Sequence, residues 1–189
     1  EGGELTLPEF YDTVKTLDQT VSVDYYLPGC PPPPDLVMNA INTILSGTLP
    51  ARGAVLAPTK ALCDTCPVRD SKPEKLSIRQ IKRPWEVYLD PEKCFLDQGV
   101  ICMGPATRSG CGETCIRANM PCRGCFGPVD GVIEQGASAL TMVASLLGLD
   151  TEETIPEDQE KDLLESIVDP AGTFYKFSLP ASLLRRKRL

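Results

Sequence analysis

The sequence predicts the closing part of a parallel α/β domain over residues 1–57, followed over residues 58–189 by an irregular, loop-rich, cysteine-bearing domain with a few helices. Three observations lead there. Between Val21 and Ser46 a strand-like alternation, a proline-rich turn and a helical stripe follow one another, as one βα step does. Eight of the nine cysteines then fall between Cys63 and Cys125, where glycine and proline are frequent. Histidine is absent, which removes mixed Cys/His zinc sites from consideration.

Composition bounds the function classes. With 42% hydrophobic and 24% charged residues the chain reads as globular. No apolar run approaches the roughly 20 residues that a bilayer-spanning helix needs. A net charge of -7 argues against nucleic acid as the main partner, because phosphate would be repelled. The cysteine usage suggests a reducing, cytoplasmic setting.

The first stretch reads as the tail of something, since Glu1 is not an initiator Met. Pro8 opens an amphipathic segment (Phe10, Val14, Leu17) that predicts a short helix. Val21 to Tyr26 alternates and is β-branched and aromatic, which predicts a strand. It runs into Leu27-Pro28-Gly29-Cys30 and four prolines, so Cys30 sits on a stiff turn at the carboxyl end of a strand, where open α/β sheets place their ligands. A helix is predicted over Asp35 to Ser46, with Leu36, Val37, Ala40, Ile41, Ile44 and Leu45 as its stripe and Gly47 as its stop. Thr48 to Lys60 reads as loop and holds the domain boundary.

Ser71 to Arg83 reads as a solvated connector folding over the first cysteines, and Trp85 as either core or contact surface. The strongest helical pattern runs from Asp130, as N-cap, to Gly148. An acidic surface helix is expected from Pro156 within Asp150 to Glu165, Phe174 to Pro180 reads as extended, and Arg185 to Arg188 reads either as a docking tail for a partner protein or as a contact for an anionic lipid surface or nucleic acid.

The cysteines fall into two quartets. Cys63 and Cys66, a CxxC pair, join Cys94 and Cys102; Cys111, Cys115, Cys122 and Cys125 form the second set. Four soft thiolates around one centre suit both iron-sulfur clusters and structural zinc. Disulfides are disfavoured by the odd count and the absence of a signal peptide. Glycines beside the ligands let backbone N–H groups approach sulfur. Lys93, Arg108, Arg117 and Arg123 are interleaved with the ligands and either offset a cluster's charge or are ordinary surface cations. No Ser/His/Asp set, phosphate-cradling glycine loop or acid/base carboxylate pair stands out.

These residues resemble a known family, the small electron-transferring subunits of nickel-iron hydrogenases, over their carboxyl-terminal part. Gly29-Cys30-Pro31-Pro32, the segment from Cys94 through Cys102-Met103-Gly104-Pro105 to Cys111, and Pro121-Cys122-Arg123-Gly124-Cys125 carry the likeness. The resemblance implies a flavodoxin-like remnant followed by an iron-sulfur cluster domain. It implies a distal 4Fe-4S cluster on Cys63, Cys66, Cys94 and Cys102, a medial 4Fe-4S cluster on Cys111, Cys115, Cys122 and Cys125, and a proximal 4Fe-4S cluster ligated partly by Cys30 and otherwise by residues outside the chain.

The best-known members use a histidine where Cys63 stands, and a proline where Cys115 supplies a fourth medial thiolate. Both departures resemble cytoplasmic multisubunit enzymes of the methyl-viologen-reducing and sulfhydrogenase types. Implied partners are the nickel-iron large subunit and a downstream electron-acceptor subunit of ferredoxin-like, flavoprotein or heterodisulfide reductase type, with no catalytic centre in this chain. The family's amino-terminal flavodoxin-like portion is absent, which implies a fragment of a longer chain or a separate polypeptide in that role. Alternative readings are a stand-alone ferredoxin-like carrier, an all-cysteine zinc interaction module and a respiratory quinone-reductase subunit; the last would carry only the proximal cluster.

Overall fold

A computed structural model of the chain describes residues 3, 6–9, 12–148 and 156–185. Its sheet is small: β1 (Tyr25–Tyr26) pairs in parallel with β2 (Ala54–Val55), Tyr25 opposite Ala54 and Tyr26 opposite Val55. Helix α1 (Pro34–Leu45) crosses between them, so the predicted βα step is completed by a second strand. That strand corrects the loop expected over Thr48 to Lys60. It also limits the strand expected from Val21, because ladder partners exist only opposite Ala54 and Val55. An Arg52 to Asp24 ion pair at 2.6 Å and the Gly53 N–H donating to the Asp24 carbonyl brace the crossover.

The turn into α1 depends on Gly29. Its φ is 135°, and a Cβ there would lie 2.5 Å from Pro32 Cα, so no other residue fits without moving the backbone. Pro34 opens α1 as the first-turn rule predicts. Only Leu36 and Ala40 of its stripe are buried, while Met38, Ile41, Ile44 and Leu45 are exposed. Pro8 to Leu17 does not form the expected helix; the described residues before β1 hold one 3-10 turn, Leu17–Gln19, and Val14 and Leu17 remain exposed with no core to pack against. Phe10 lies outside the described residues.

The main core draws on residues from Leu62 to Tyr175 and includes Phe95, Leu96, Val100, Met103, Val143 and Phe174. Helix α4 (Gln135–Leu147) buries Gln135, Ala139, Val143 and Leu147, a strict four-residue repeat that keeps one face on the core. It starts five residues later than Asp130, and Glu134 holds the N-cap position without a side-chain cap. The physical reason is that Asp130 pairs with Arg108 instead.

Helix α5 (Glu157–Glu165) follows Pro156 as expected. Helix α6 (Pro170–Phe174) ends where the sequence predicts the extended segment to begin, and Tyr175 to Pro180 forms turns and the start of a 3-10 helix instead, because Phe174 and Tyr175 are buried where α6 packs on α4. Gly136 makes this contact possible: a Cβ would sit 2.3 Å from the Tyr175 ring. Trp85 is 77% exposed, which settles it as surface. Among the described residues no helix is long and apolar enough to cross a membrane. Residues 149–155 of the acidic stretch and 186–189 of the basic tail lie outside the described residues.

Candidate metal centre

Each cysteine is held by a short local structure that has little stability of its own. Helix α2 (Leu62–Thr65) carries Cys63, and Cys66 ends it. The Leu62 N–H donates to the Thr107 carbonyl at 2.7 Å, and Ala61 bridges Arg108, so this turn is fastened to the strand-like run after Cys102. Ser71 accepts the Cys94 N–H at 2.8 Å, which draws the predicted connector over the first cysteines. Helix α3 (Thr114–Arg117) carries Cys115, and the Met103 N–H donates to the Cys122 carbonyl at 2.9 Å.

The sulfurs influence one another both within and across the two predicted quartets, Cys122 acting on Cys63 and Cys102. Burial pushes the Cys63 thiol up to about 12, reinforced by Cys66 and Cys94 beside it, while Lys72 acts the other way. Burial likewise raises Cys66, opposed by the Val68 N–H and reinforced by Cys94 and Glu113. Cys102 is raised most by its burial, then by Cys122 and Cys63. In the second group burial takes Cys122 up to about 11, with Cys111 and Cys125 nearby, and Cys125 is raised by burial and then by Cys115, Cys111 and Cys30. The groups meet where the Cys122 N–H donates to Cys102 Sγ at 3.3 Å. Cys102 and Cys122 are buried, whereas Cys30 and Cys115 are exposed.

The donor chemistry fits iron-sulfur clusters. Backbone N–H groups of Gly104 and Cys122 address Cys102, that of Gly124 addresses Cys122, and that of Val68 addresses Cys66. Such N–H to sulfur bonds favour the thiolate and tune cluster potentials. Gly104 also clears space: a Cβ there would be 3.2 Å from Cys63 Sγ and 3.5 Å from Cys102 Sγ. Among the described residues no three cysteine or carboxylate side chains converge on a point that one metal ion could fill. A single zinc would draw four thiolates to roughly 3.8 Å of one another at its usual bond length.

The four interleaved cations have different fates. Lys93 is exposed beside Asp90, at 3.9 Å, and Arg117 is exposed beside Glu113, at 3.7 Å. Arg123 lines a small cavity with Lys82, Cys122 and Val168. Arg108 is buried, donating to the carbonyls of Pro58 at 3.0 Å and Pro128 at 3.2 Å and pairing with Asp130, so it staples three loops together. Sequence reasoning missed three further residues. Gln135 is buried and donates to Thr107 Oγ1 at 3.3 Å and the Gly124 carbonyl at 3.1 Å, and the Thr107 hydroxyl lies against the Cys122 sulfur. Glu113 accepts from Thr65 Oγ1 at 2.6 Å.

No family model matches the chain. The iron-sulfur subunit of the F420-non-reducing hydrogenase of Archaeoglobus profundus is 35% identical over 187 residues, 97% of this chain and 56% of that protein. The corresponding F420-non-reducing hydrogenase subunit of Methanothermobacter thermautotrophicus is 38% identical over 182 residues, 96% of this chain and 56% of that protein. Its counterpart in Methanothermus fervidus is 42% identical over 118 residues, which are 61% of this chain and 90% of that protein. This chain belongs to the family of these F420-non-reducing hydrogenase subunits. It spans about half the length of the first two relatives.

For a member of this family the Arg108 staple is a structural test of the centre. Arg108→Ala leaves the Pro58 and Pro128 carbonyls without their donor, and each such loss costs about 1–3 kcal/mol. The expected result is a fall in stability of roughly 2–4 kcal/mol in urea unfolding of the cluster-loaded protein. Unchanged unfolding would show that water replaces the guanidinium at no cost.

Proposed function

We propose that this chain is the cluster-bearing part of a hydrogenase electron-transfer subunit. The observation that supports the reading is the gathering of free cysteines between Cys63 and Cys125, with backbone N–H groups aimed at Cys66, Cys102 and Cys122, in a chain of this hydrogenase-subunit family. Cys63, Cys66, Cys94 and Cys102 would hold a distal 4Fe-4S cluster; Cys111, Cys115, Cys122 and Cys125 would hold a medial one. Cys30, on its turn beside the βαβ crossover, would complete a proximal cluster with residues outside this chain, and residues 1–57 would be the end of a flavodoxin-like domain, with residues 58–189 as the cluster domain. Bound there, the clusters would supply one-electron relay between a nickel-iron large subunit and an acceptor subunit of ferredoxin-like, flavoprotein or heterodisulfide reductase type.

The protein's own part is to hold thiolates, exclude water and set charge. Raised thiol pKa values mean that the free sulfurs keep their protons, so loading the sites must expel them. The relatives' names, the all-thiolate donor set and the net charge of -7 agree with a cytoplasmic complex that does not bind nucleic acid. The chain's place in the oxidoreductase would be that of an electron relay. Cys94→Ala in the full-length subunit tests the ligand sets: one reduced-cluster EPR signal should disappear while the other remains. Loss of neither signal would remove Cys94 from the ligands.

A further inference from the structure

We infer that Glu113 sets the reduction potential of the cluster at Cys63, Cys66, Cys94 and Cys102 and ties the two cluster loops together, a role that rests on the reading above. The residue is conformationally unusual. At φ 51° it occupies the left-handed region that glycine or asparagine takes at least cost, directly after Gly112, which is itself at φ 72°. What glycine could not provide is the carboxylate.

That carboxylate is buried, with a side chain 10% exposed, and both oxygens are spoken for. One accepts from Thr65 Oγ1 at 2.6 Å, on the turn between Cys63 and Cys66. The other lies 3.7 Å from the Arg117 guanidinium, whose side chain is 62% exposed. Arg117 in turn donates to the Gly112 carbonyl at 3.1 Å. Glu113 thus stems from the loop between Cys111 and Cys115 and plants its charge beside Cys66 of the other group. A fixed negative charge in a partly dehydrated site opposes the arrival of an electron, and a solvated cation at its far end offsets it incompletely.

Glu113→Gln removes the charge and keeps an oxygen for Thr65, so the loops retain their contact. EPR-monitored redox titration of the full-length subunit in its complex should show that cluster becoming easier to reduce. At a fixed potential the reduced-to-oxidised ratio should rise about tenfold, which is about 59 mV for one electron. Arg117→Gln should shift the same cluster in the opposite direction, because the carboxylate loses its offset. If Glu113→Gln fails to retain its clusters, Arg117→Gln carries the test, since that side chain is mostly solvated. Clusters present with an unmoved potential in whichever variant is measured would overturn the inference and leave the proposed function standing. A wild-type protein without both signals would overturn the proposed function and the inference with it.

Discussion

Replacing Cys30 with alanine is expected to lower hydrogen-dependent dye reduction by the assembled complex at least about tenfold, while the clusters between Cys63 and Cys125 keep their EPR signals. The magnitude follows from ligation, since losing even an outer-shell partner of a metal site typically costs 10–100-fold. The selectivity follows from position. Cys30 is exposed on the turn between β1 and α1, outside both quartets, and Gly29 and the following prolines fix that turn against rearrangement. Cys30 is among the groups that raise the Cys125 thiol, after burial, Cys115 and Cys111, so its turn lies on the side of the second set of cysteines. Full activity in the variant, with every cluster present, would reduce Cys30 to a packed thiol.

That placement also sharpens the second expectation. Cys115→Pro should convert the second cluster from four irons to three and raise its potential, because the fourth iron loses its thiolate. Cys115 is exposed at the start of the short helix α3, where Thr114 and not Cys115 takes the first helical position. Proline at the second helical position is tolerable, since that N–H lacks an intrahelical partner. The fold should therefore survive, and the spectrum reports ligation alone. Retention of a four-iron signal would mean that another thiolate completes the site, and Cys30, whose turn lies on that side, would be the candidate.

Much of this site was legible in the sequence because thiolate spacing is local. The CxxC turn forms a short helix and the run from Cys111 to Cys125 stays compact, as local spacing suggests, while the division into two ligand sets remains a proposal. Helix α1 was legible for the same reason, its proline start and apolar stripe lying within one segment. What escaped depends on distant partners. Strand β2 is two residues long and exists only because Tyr25 and Tyr26 pair with it. Asp130 has the chemistry of an N-cap, but Arg108, far away in sequence, claims it and the helix starts at Gln135. Phe174 and Tyr175 look extended by composition, yet Gly136 on α4 leaves a space that their burial fills, and the chain curls to reach it. Glu113 is ordinary in sequence and acquires its place through Thr65. The flavodoxin-like character of residues 1–57 remains a proposal that a single βαβ crossover supports.

The central claim is that the eight cysteines from Cys63 to Cys125 hold two iron-sulfur clusters without help from Cys30. Metal and acid-labile sulfide analysis of the full-length Cys30→Ala subunit, with EPR of its reduced form, tests it most directly. Two 4Fe-4S clusters require at least about eight irons and about eight sulfides per chain in that variant, beyond any iron that the remaining proximal ligands retain, with no stoichiometric zinc. Zinc in place of iron, or about four irons with a single cluster signal, would contradict the account.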